Sequence, residues 1–204
     1  MNKLTEIGIK YGTDKAVYHK FTDFYFPWFE NYIKPDILEI GIYQGASIRM
    51  LNEFFGGTNI LSLDIVNKID FGQPNIEVKL CDQSNTVELL SCTAGREFDI
   101  IIDDGSHIVQ HQLVTLGTMF SKVKPGGIYI VEDIHTSFIP SYNPTGEYPN
   151  TYDVLYRMSK RLPIESRIIH EDIVQEIYRR VKGVHIFQRD TNLYTDSITA
   201  VIEF

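Results

Sequence analysis

The 204-residue sequence is 43% hydrophobic and 23% charged, proportions typical of a folded globular domain and not of a disordered chain. Its formal net charge of -8 gives no general attraction to nucleic acid or to an anionic membrane. No signal peptide and no apolar run long enough to span a bilayer are visible, so we expect one cytoplasmic domain over 1–204, without nucleic-acid partners or membrane insertion.

Hydrophobic runs bounded by glycine, proline and aspartate alternate with helical segments, the pattern of an α/β sheet built from parallel crossovers. The predicted strands are 36–41, 59–65, 76–82, 98–104, 127–133, 184–190 and 197–204. The predicted crossover helices are 46–55, 86–94, 109–120 and 173–181. Only residues 191–196 separate the last two strands, too few for a helical crossover, so these strands should pair as an antiparallel hairpin. The sequence thus predicts seven mostly parallel strands with helices on both faces.

Local signals mark the ends of some helices. Ser84 or Asn85 can cap the helix at 86–94, because both side chains accept hydrogen bonds from helix-terminal N–H groups. The motif KPGG at 124–127 contains the proline and glycines that commonly follow a helix. We therefore expect this motif to end the helix at 109–120.

Two segments do not follow the alternation of strands and helices. Residues 1–35, rich in tyrosine and phenylalanine, are predicted to form an N-terminal helical cap across one edge of the sheet, ahead of a core over 36–204. Residues 138–151 read FIPSYNPTGEYPNT and are too many for a plain connection. We interpret them as a candidate lid loop.

Acidic residues end each of the first five predicted strands. In an open parallel sheet, ligands bind at the carboxyl ends of the strands, near the point where strand order reverses. The acids at these ends are Glu39, Asp64, Asp82, Asp103, Asp104, Glu132 and Asp133. Carboxylates are costly to bury without a cation or hydrogen-bond donors, so we expect a ligand to meet them.

The turn after the first strand reads LEIGIYQGAS and places Glu39, Gly41 and Gly45 in an E-x-G-x-x-x-G pattern. Glycines let the backbone approach a ligand closely and turn tightly into a helix. Tyr43 stands where a dinucleotide-binding fingerprint requires glycine, which disfavours a nicotinamide or flavin cofactor. A carboxylate at position 39 suits a ligand with an ammonium group or hydroxyls, and a sulfonium amino-acid nucleoside carries both.

The next two strand ends offer further ligand contacts. Asp64 follows the glycine turn by about 20 residues, the position from which an acid accepts hydrogen bonds from ribose hydroxyls. The motif LCDQS places Asp82 where an adenine would lie in the same geometry. The structural alternative for each aspartate is to cap its own loop.

Six short motifs resemble those of known enzymes. LEIGIYQGAS, LSLDI and CDQS resemble the class I S-adenosylmethionine-dependent methyltransferases, whose sheet ends in an antiparallel hairpin. YGTDK (11–15), IIDDGSH (101–107) and VEDIHTS (131–137) resemble, more narrowly, the macrolide-sugar O-methyltransferase family. The resemblance covers about residues 10–137. It implies a Rossmann-like sheet, S-adenosylmethionine as cofactor, and methyl transfer to a hydroxyl of a sugar or glycoconjugate.

The resemblance also implies roles for single residues. By position, Asp104, Glu132 and Asp133 would bind Mg²⁺ or another hard divalent cation, and Asp104 and His107 would be the catalytic residues, with His107 the general base. Asp103 would face the amino-acid end of the cofactor. The full set of predicted cofactor contacts is Thr13, Lys15, Glu39, Gly41, Gly45, Ser47, Asp64, Asp82, Gln83 and Asp103.

The residue types support metal-assisted chemistry on their own. Three carboxylates at two neighbouring strand ends, without a cysteine or second histidine in ligand spacing, favour an oxygen-preferring cation such as Mg²⁺ over Zn²⁺. A hydroxyl bound to a dication loses its proton more readily. His107, one turn beyond Asp104, can accept that proton. His111, four residues further along the chain, is expected to pack.

The acceptor is the least defined part of the prediction. His19 and the YGTDK motif are predicted to cover the cofactor and help form the acceptor cleft, and His135, Tyr142 and Tyr148 are further candidate substrate contacts. A catechol or a phosphoryl-type oxygen is the alternative acceptor. A non-catalytic cofactor-binding protein is the alternative class. The sequence leaves the oligomeric state open, a homo-oligomer included.

Overall fold

One sheet of seven strands organises the computed structural model, which describes residues 1–66, 69–189 and 197–204. The strands are β1 (Ile37–Ile40), β2 (Ile60–Asp64), β3 (Ile76–Leu80), β4 (Phe98–Asp103), β5 (Val123–Val131), β6 (Gly183–Gln188) and β7 (Ile198–Glu203). Strands β1 to β5 pair in parallel, whereas β7 pairs antiparallel with β5 and with β6. The predicted mostly parallel sheet and terminal hairpin are confirmed. The predicted connection 191–196 lies outside the described residues.

The order of the strands, β3-β2-β1-β4-β5-β7-β6, determines where a ligand can bind. The chain runs outward from β1 to β3 and then returns to β4 on the other side of β1. The connections after β1 and β4 therefore leave in opposite directions and open a crevice between the two carboxyl ends. Because Ile40 is in register with Asp103, the acids that follow β4 lie beside the turn that follows β1.

Helices cover both faces of this sheet. They are α1 (Lys3–Tyr11), α2 (Asp14–Val17), α3 (Phe21–Phe29), α4 (Ala46–Phe54), α5 (Thr86–Cys92), α6 (Val109–Met119), α7 (Thr151–Ser159) and α8 (Glu171–Arg180). The four predicted crossover helices correspond to α4, α5, α6 and α8. The side chain of Asn85 caps α5 by accepting hydrogen bonds from the N–H groups of Val87 and Glu88. None of the helices in the described ranges is both long enough and apolar enough to cross a bilayer.

The central strand β4 is buried on both sides. Ile100 and Ile102 pack in a cluster with α1, α3 and α4, whereas Ile101 packs in the opposite cluster with α5 to α8. Successive side chains of a strand point to opposite faces, so a strand covered on both faces needs an apolar residue at every position. This requirement explains the uninterrupted apolar run at 100–102 that precedes the two aspartates.

The N-terminal helices cover a face of the sheet, and the expectation that they lie across an edge is wrong. Tyr25 and Phe29 of α3 are buried in the same cluster as Ile130 of β5 and Val201 of β7. The Tyr25 hydroxyl also lies 2.7 Å from the Thr199 hydroxyl of β7, within hydrogen-bond distance. The wide aromatic side of α3 buries more apolar surface over two strands than an edge would offer.

The KPGG motif lies inside a strand and does not end a helix. Helix α6 ends at Met119, and a 3₁₀ turn at Phe120–Lys122 leads directly into β5. Gly127 passes so close to β4 that a Cβ there would lie 2.7 Å from the carbonyl oxygen of Asp99. Proline and glycine mark strand irregularities as well as helix ends, and here the first meaning applies.

The candidate lid loop is shorter and more ordered than predicted. Two 3₁₀ turns, Ile134–Phe138 and Pro140–Tyr142, lie at its start, and α7 begins at Thr151. Asn150 and Asp153 form a reciprocal capping box at the first turn of α7. That N-x-x-D spacing is a helix-start signal and could have predicted α7 from the sequence.

Two helical glycines differ in the space around them and give a test of the cap packing. A Cβ at Gly8 of α1 would lie 2.5 Å from Cβ of Ala16, whereas a Cβ at Gly117 of α6 would lie 3.4 Å from Ile169. We expect Gly8→Ala to lower the free energy of unfolding by about 1–3 kcal/mol because of overpacking. Gly117→Ala should leave it unchanged or raise it by up to about 1 kcal/mol, since alanine favours the helix.

Urea unfolding of both variants, followed by circular dichroism, measures this difference. Equal midpoints for Gly8→Ala and the parent protein would contradict the close packing of α1 against α2.

Candidate functional site

A cavity of about 800 Å³ opens at the carboxyl ends of the parallel strands, in the crevice between β1 and β4. Residues 11–14, which connect α1 to α2, contribute to its lining. The predicted site residues that line the cavity are Thr13, Glu39, Gly41, Ser47, Asp64, Asp104, His107 and Asp133. Acidic side chains from several strand ends therefore share one concave surface.

Gly41 brings the ends of β1 and β4 together. Its φ of +95° favours glycine, and a Cβ there would overlap the carbonyl oxygen of Asp104. The N–H of Asp104 in turn donates a hydrogen bond of 2.9 Å to the carbonyl of Ile40. Gly45 does not line the cavity. It caps α4 with a φ of +72°, and a Cβ there would collide with the ring of Phe71.

Asp64 lines the cavity and also shapes the turn beside it. Its Oδ2 accepts a hydrogen bond of 2.9 Å from the N–H of Ile42, and its Oδ1 accepts one of 2.9 Å from the N–H of Val66. Asp64 thus holds the glycine turn after β1 and the loop after β2. These contacts match the loop-capping role of Asp64, and its contact with a ribose stays a prediction.

Asp82 and Gln83 do not line the cavity. Asp82 caps its own loop through hydrogen bonds from the Ser84 N–H and hydroxyl, which lower the pKa of Asp82. Gln83 is buried, donates from Nε2 to Asp103 Oδ1 at 3.0 Å and accepts from the Ser106 N–H at 2.6 Å. Gln83 therefore orients the DDGSH segment from behind.

Asp103 and Glu39 are both almost completely buried. Burial raises the pKa of Asp103 to about 7, although the hydrogen bond from Gln83 opposes the rise. Burial also raises the pKa of Glu39 to about 7, and the nearby ammonium of Lys15 moderates that rise. Asp103 does not line the cavity, whereas Glu39 does and neither of its carboxylate oxygens has a hydrogen-bond partner in the described part of the chain.

Lys15 is 1% exposed and does not line the cavity. The cavity surface therefore does not include this predicted cofactor contact. The Nζ of Lys15 lies 2.5 Å from Asp104 Oδ2, 2.9 Å from Glu132 Oε2 and 3.9 Å from Glu39 Oε1. Burial lowers the pKa of Lys15, but the three carboxylates outweigh burial and hold that pKa well above its usual range. One ammonium thus joins the ends of β1, β4 and β5.

A candidate metal centre lies at the rim of the cavity. Asp104, His107 and Asp133 each place a ligand atom within 4.8 Å of the others. Glu132, the third predicted ligand, lies outside this group, and its Oε2 lies 2.9 Å from Nζ of Lys15. Its other oxygen, Oε1, is buried without a hydrogen-bond partner among the described residues. Hard carboxylate oxygens around a partly buried space fit a cation such as Mg²⁺.

His107 and Asp133 face each other from two turns. The Nε2 of His107 lies 3.6 Å from Asp133 Oδ2, and φ is +59° at His107 and +53° at Asp133. Non-glycine residues in this region store strain, which occurs often at functional sites. Thr136 holds both turns, because its hydroxyl lies 2.8 Å from the carbonyl oxygens of His107 and of Asp133. The motif VEDIHTS contained Thr136, but the sequence assigned it no role.

The predicted acceptor contacts are dispersed. His135 lies beside the candidate metal centre, with its Nδ1 3.7 Å from Asp133 Oδ1. His19 lies away from the lining and places Nδ1 2.6 Å from the Ser197 hydroxyl. Tyr142 and Tyr148 do not line the cavity either, and Tyr148 accepts a hydrogen bond from Arg157.

Other cavity residues had no predicted role. Tyr43, which served only to argue against a dinucleotide site, lines the cavity while 83% exposed and has a φ of +47°. Val66 lines it as well and is 81% exposed. The sequence signal that could have identified Val66 is its position two residues beyond Asp64, at the end of β2. These two side chains add exposed apolar surface to a cavity that several carboxylates also line.

Proteins of known activity resemble the chain in sequence, although no protein-family model matches it. Mycinamicin VI 2''-O-methyltransferase from Micromonospora griseorubida is 31% identical over 203 residues, which are 90% of this chain and 50% of the relative. The 8-demethyl-8-alpha-L-rhamnosyl tetracenomycin-C 2'-O-methyltransferase from Streptomyces olivaceus is 31% identical over 173 residues, which are 78% of this chain and 44% of the relative. The chain spans about half the length of the curated relatives it matches.

A solved structure extends the similarity to the fold. The MycE methyltransferase from the mycinamycin biosynthetic pathway, in complex with Mg, SAH and mycinamycin VI, has a TM-score of 0.78 with this chain. The two are 28% identical, and the match covers 99% of this chain and 54% of the MycE chain. The similarity therefore includes the last two strands and the N-terminal helices as well as the motifs.

The buried carboxyl group of Glu39 makes stability depend on pH. Because its pKa is about 7 in the folded protein against 4.5 for an ordinary glutamate, the folded state favours the protonated form. This contribution is complete below pH 4.5 and is lost as the pH rises through 7. At about 1.4 kcal/mol per pH unit, the loss approaches about 3 kcal/mol. Glu39→Gln removes the titration, so its stability relative to the parent should rise between pH 5 and pH 8.

Urea unfolding of the metal-free protein at pH 5, 6, 7 and 8 measures this trend. The exposed Glu30→Gln variant controls for the loss of one carboxylate. Parallel stability profiles of Glu39→Gln and the parent would show that Glu39 ionises normally in the folded state.

Proposed function

The chain belongs to the class I S-adenosylmethionine-dependent methyltransferases, and we propose that it methylates a hydroxyl of a sugar or glycoconjugate with the help of Mg²⁺ or a similar divalent cation. The observation that carries this proposal is the convergence of Asp104, His107 and Asp133 at the rim of a cavity that Glu39 and Asp64 also line. It combines a candidate cation site, a candidate base and a candidate cofactor site on one surface.

The residues that line the cavity match the chemical groups of the proposed cofactor. The carboxylate of Glu39 is buried, lines the cavity and has no hydrogen-bond partner among the described residues, as expected of a group that meets a ligand's ammonium. Asp64 lies at the end of β2, from which an acid reaches ribose hydroxyls. Gly41 contributes only backbone to the cavity lining, because the space of a side chain there is filled by the backbone of Asp104. Structures of the MycE relative contain SAH and Mg, which supports both cofactors here.

The residues at the other end of the cavity fit a hard cation. Asp104 and Asp133 offer oxygens near one another, and Glu132 Oε1 is a further buried oxygen without a partner. When bound, S-adenosylmethionine supplies an activated methyl group and the cation supplies a Lewis acid that makes a hydroxyl more acidic. The carboxylates hold the cation, and none of them is required to take up the hydroxyl proton.

His107 is the group placed to accept that proton. Its side chain lines the cavity, and its Nε2 lies 3.6 Å from Asp133 Oδ2. Asp133 and the carbonyl bound by Thr136 fix the position of the histidine, and such positioning provides much of the rate enhancement in this class of mechanism.

A sugar acceptor is favoured over other oxygens by the relatives. The names of the matching enzymes specify a 2''-hydroxyl, a 2'-hydroxyl or a related position on a glycosylated natural product. A catechol or a phosphoryl-type oxygen could bind the same cation, so both belong in an acceptor panel. The chain spans about half the length of each relative, so the relatives do not specify which glycoside it methylates. The acceptor panel identifies that glycoside.

Methyl transfer to the panel tests the proposal. With labelled S-adenosylmethionine and Mg²⁺, we expect transfer to glycosides that carry neighbouring hydroxyls and its loss with EDTA. His107→Ala should reduce kcat by about 10²–10⁴-fold through loss of the base, and Asp133→Asn should raise the Mg²⁺ concentration needed for half-maximal activity. Calorimetry with SAH separates these effects from loss of cofactor binding.

His170→Asn is the matched control, since His170 is exposed and caps α8, and asparagine preserves a cap. Transfer that survives both EDTA and His107→Ala would refute the mechanism. Binding of SAH without transfer to any acceptor would instead indicate a non-catalytic cofactor-binding protein.

A further inference from the structure

Lys15 contacts two of the three proposed metal-binding carboxylates, and it does so through one oxygen of each. Its Nζ lies 2.5 Å from Oδ2 of Asp104 and 2.9 Å from Oε2 of Glu132. Among the described residues, no hydrogen bond is made to the second oxygens, Oδ1 of Asp104 and Oε1 of Glu132. Each carboxylate is thereby divided into an oxygen that meets the ammonium and an oxygen left for another cation.

The ammonium is buried and held from several sides. Lys15 is 1% exposed, and Glu39 lies on a further side at 3.9 Å. No other lysine or arginine in the described ranges forms an ion pair with Glu39, Asp104 or Glu132. A lysine in such surroundings cannot swing into solvent, so the orientation of both carboxylates is set before any metal binds.

We propose that Lys15 is a positioning residue that restricts Asp104 and Glu132 to bind the metal through one oxygen each. This inference rests on the proposed metal site. Groups that hydrogen-bond to metal-binding carboxylates orient them, and loss of such a partner commonly weakens metal binding about 10–100-fold. The proposed role requires no contact between Lys15 and the metal, the cofactor or the acceptor.

The restriction has a consequence for metal selectivity. Mg²⁺ and Mn²⁺ suit six ligands in octahedral geometry, whereas Ca²⁺ accepts six to eight oxygens and often takes both oxygens of one carboxylate. Single-oxygen coordination by Asp104 and Glu132 leaves octahedral positions open for water or for an acceptor hydroxyl. Lys15 therefore favours a small octahedral cation at this site and disfavours Ca²⁺.

The restriction also links the metal site to the cofactor cavity. Lys15 lies in α2, directly after residues 11–14, which line the cavity. The same ammonium that orients Asp104 and Glu132 therefore anchors this segment.

A purely stabilising role for Lys15 would not alter the preference of the site for one divalent cation over another. A change in cation preference on substitution of Lys15 therefore distinguishes the positioning role from a stabilising role.

Metal binding to the 204-residue chain without cofactor tests the inference. Mn²⁺ affinity is measured by electron paramagnetic resonance, and Ca²⁺ affinity by competition against bound Mn²⁺. Loss of the ammonium removes the orientation of both carboxylates and also removes a repulsive charge that opposes either dication. We therefore expect Lys15→Met to improve Ca²⁺ binding relative to Mn²⁺ binding. The ratio of the Ca²⁺ Kd to the Mn²⁺ Kd should then fall at least about tenfold.

A double variant protects the test against misfolding. Lys15→Met leaves buried carboxylates without their counter-charge, whereas Lys15→Met/Glu39→Gln preserves the net charge of the parent. The double variant should show the same lowered ratio. Glu39→Gln alone isolates the effect of the second substitution. The matched control, Lys3→Met, removes an exposed lysine and should keep the parent ratio within about threefold.

The outcomes distinguish this inference from the proposed function. A parent protein that binds neither Mn²⁺ nor Ca²⁺ would overturn the proposed metal site and the role of Lys15 with it. A parent protein that prefers Mn²⁺, together with an unchanged ratio in the folded double variant, would overturn the role of Lys15 alone and leave the proposed function standing.

Discussion

One buried ammonium holds the acidic edge of this sheet together. Glu39, Asp104 and Glu132 end three different strands, and three carboxylates so close to one another, two of them buried, are strongly unfavourable without a cation. Lys15 supplies that cation from the N-terminal helices, at 2.5–3.9 Å from all three. The position of the cap, the alignment of the strand ends and the shape of the cavity all depend on this contact.

The parallel sheet explains why the acids meet at all. Reversal of strand order between β1 and β4 leaves an open crevice at their carboxyl ends, and Gly41 lets the two ends approach within backbone contact. The proposed tasks then divide along the crevice. Glu39 and Asp64 lie on the side suited to the cofactor, and Asp133 and His107 lie on the side suited to the cation and the acceptor. The sugar methyltransferases that the chain resembles are about twice its length, so acceptor recognition is the property most open to difference.

Sequence reasoning succeeded where a pattern has one dominant physical meaning. The three isoleucines at 100–102 are continuous because β4 is buried on both faces, and the short connection between the last two strands requires an antiparallel pair. It failed where one pattern has two meanings. KPGG can end a helix or interrupt a strand, and only the close passage of Gly127 by Asp99 decides between them. The aromatic cap was predicted, but its place on a face of the sheet depends on the apolar surface that β5 and β7 expose to it.

The sequence by itself determined the sheet, the terminal hairpin and the set of acids at the strand ends, because hydrophobic periodicity and strand-end position are local properties of the chain. Only the tertiary structure decided which of these residues face the cavity. Asp82, Gln83 and Asp103 do not line it, and Lys15, which the sequence assigned to the cofactor, lies among the carboxylates. The reason is that orientation and charge pairing depend on contacts between segments far apart in the chain, such as the 89 residues that separate Lys15 from Asp104, and no local pattern encodes them.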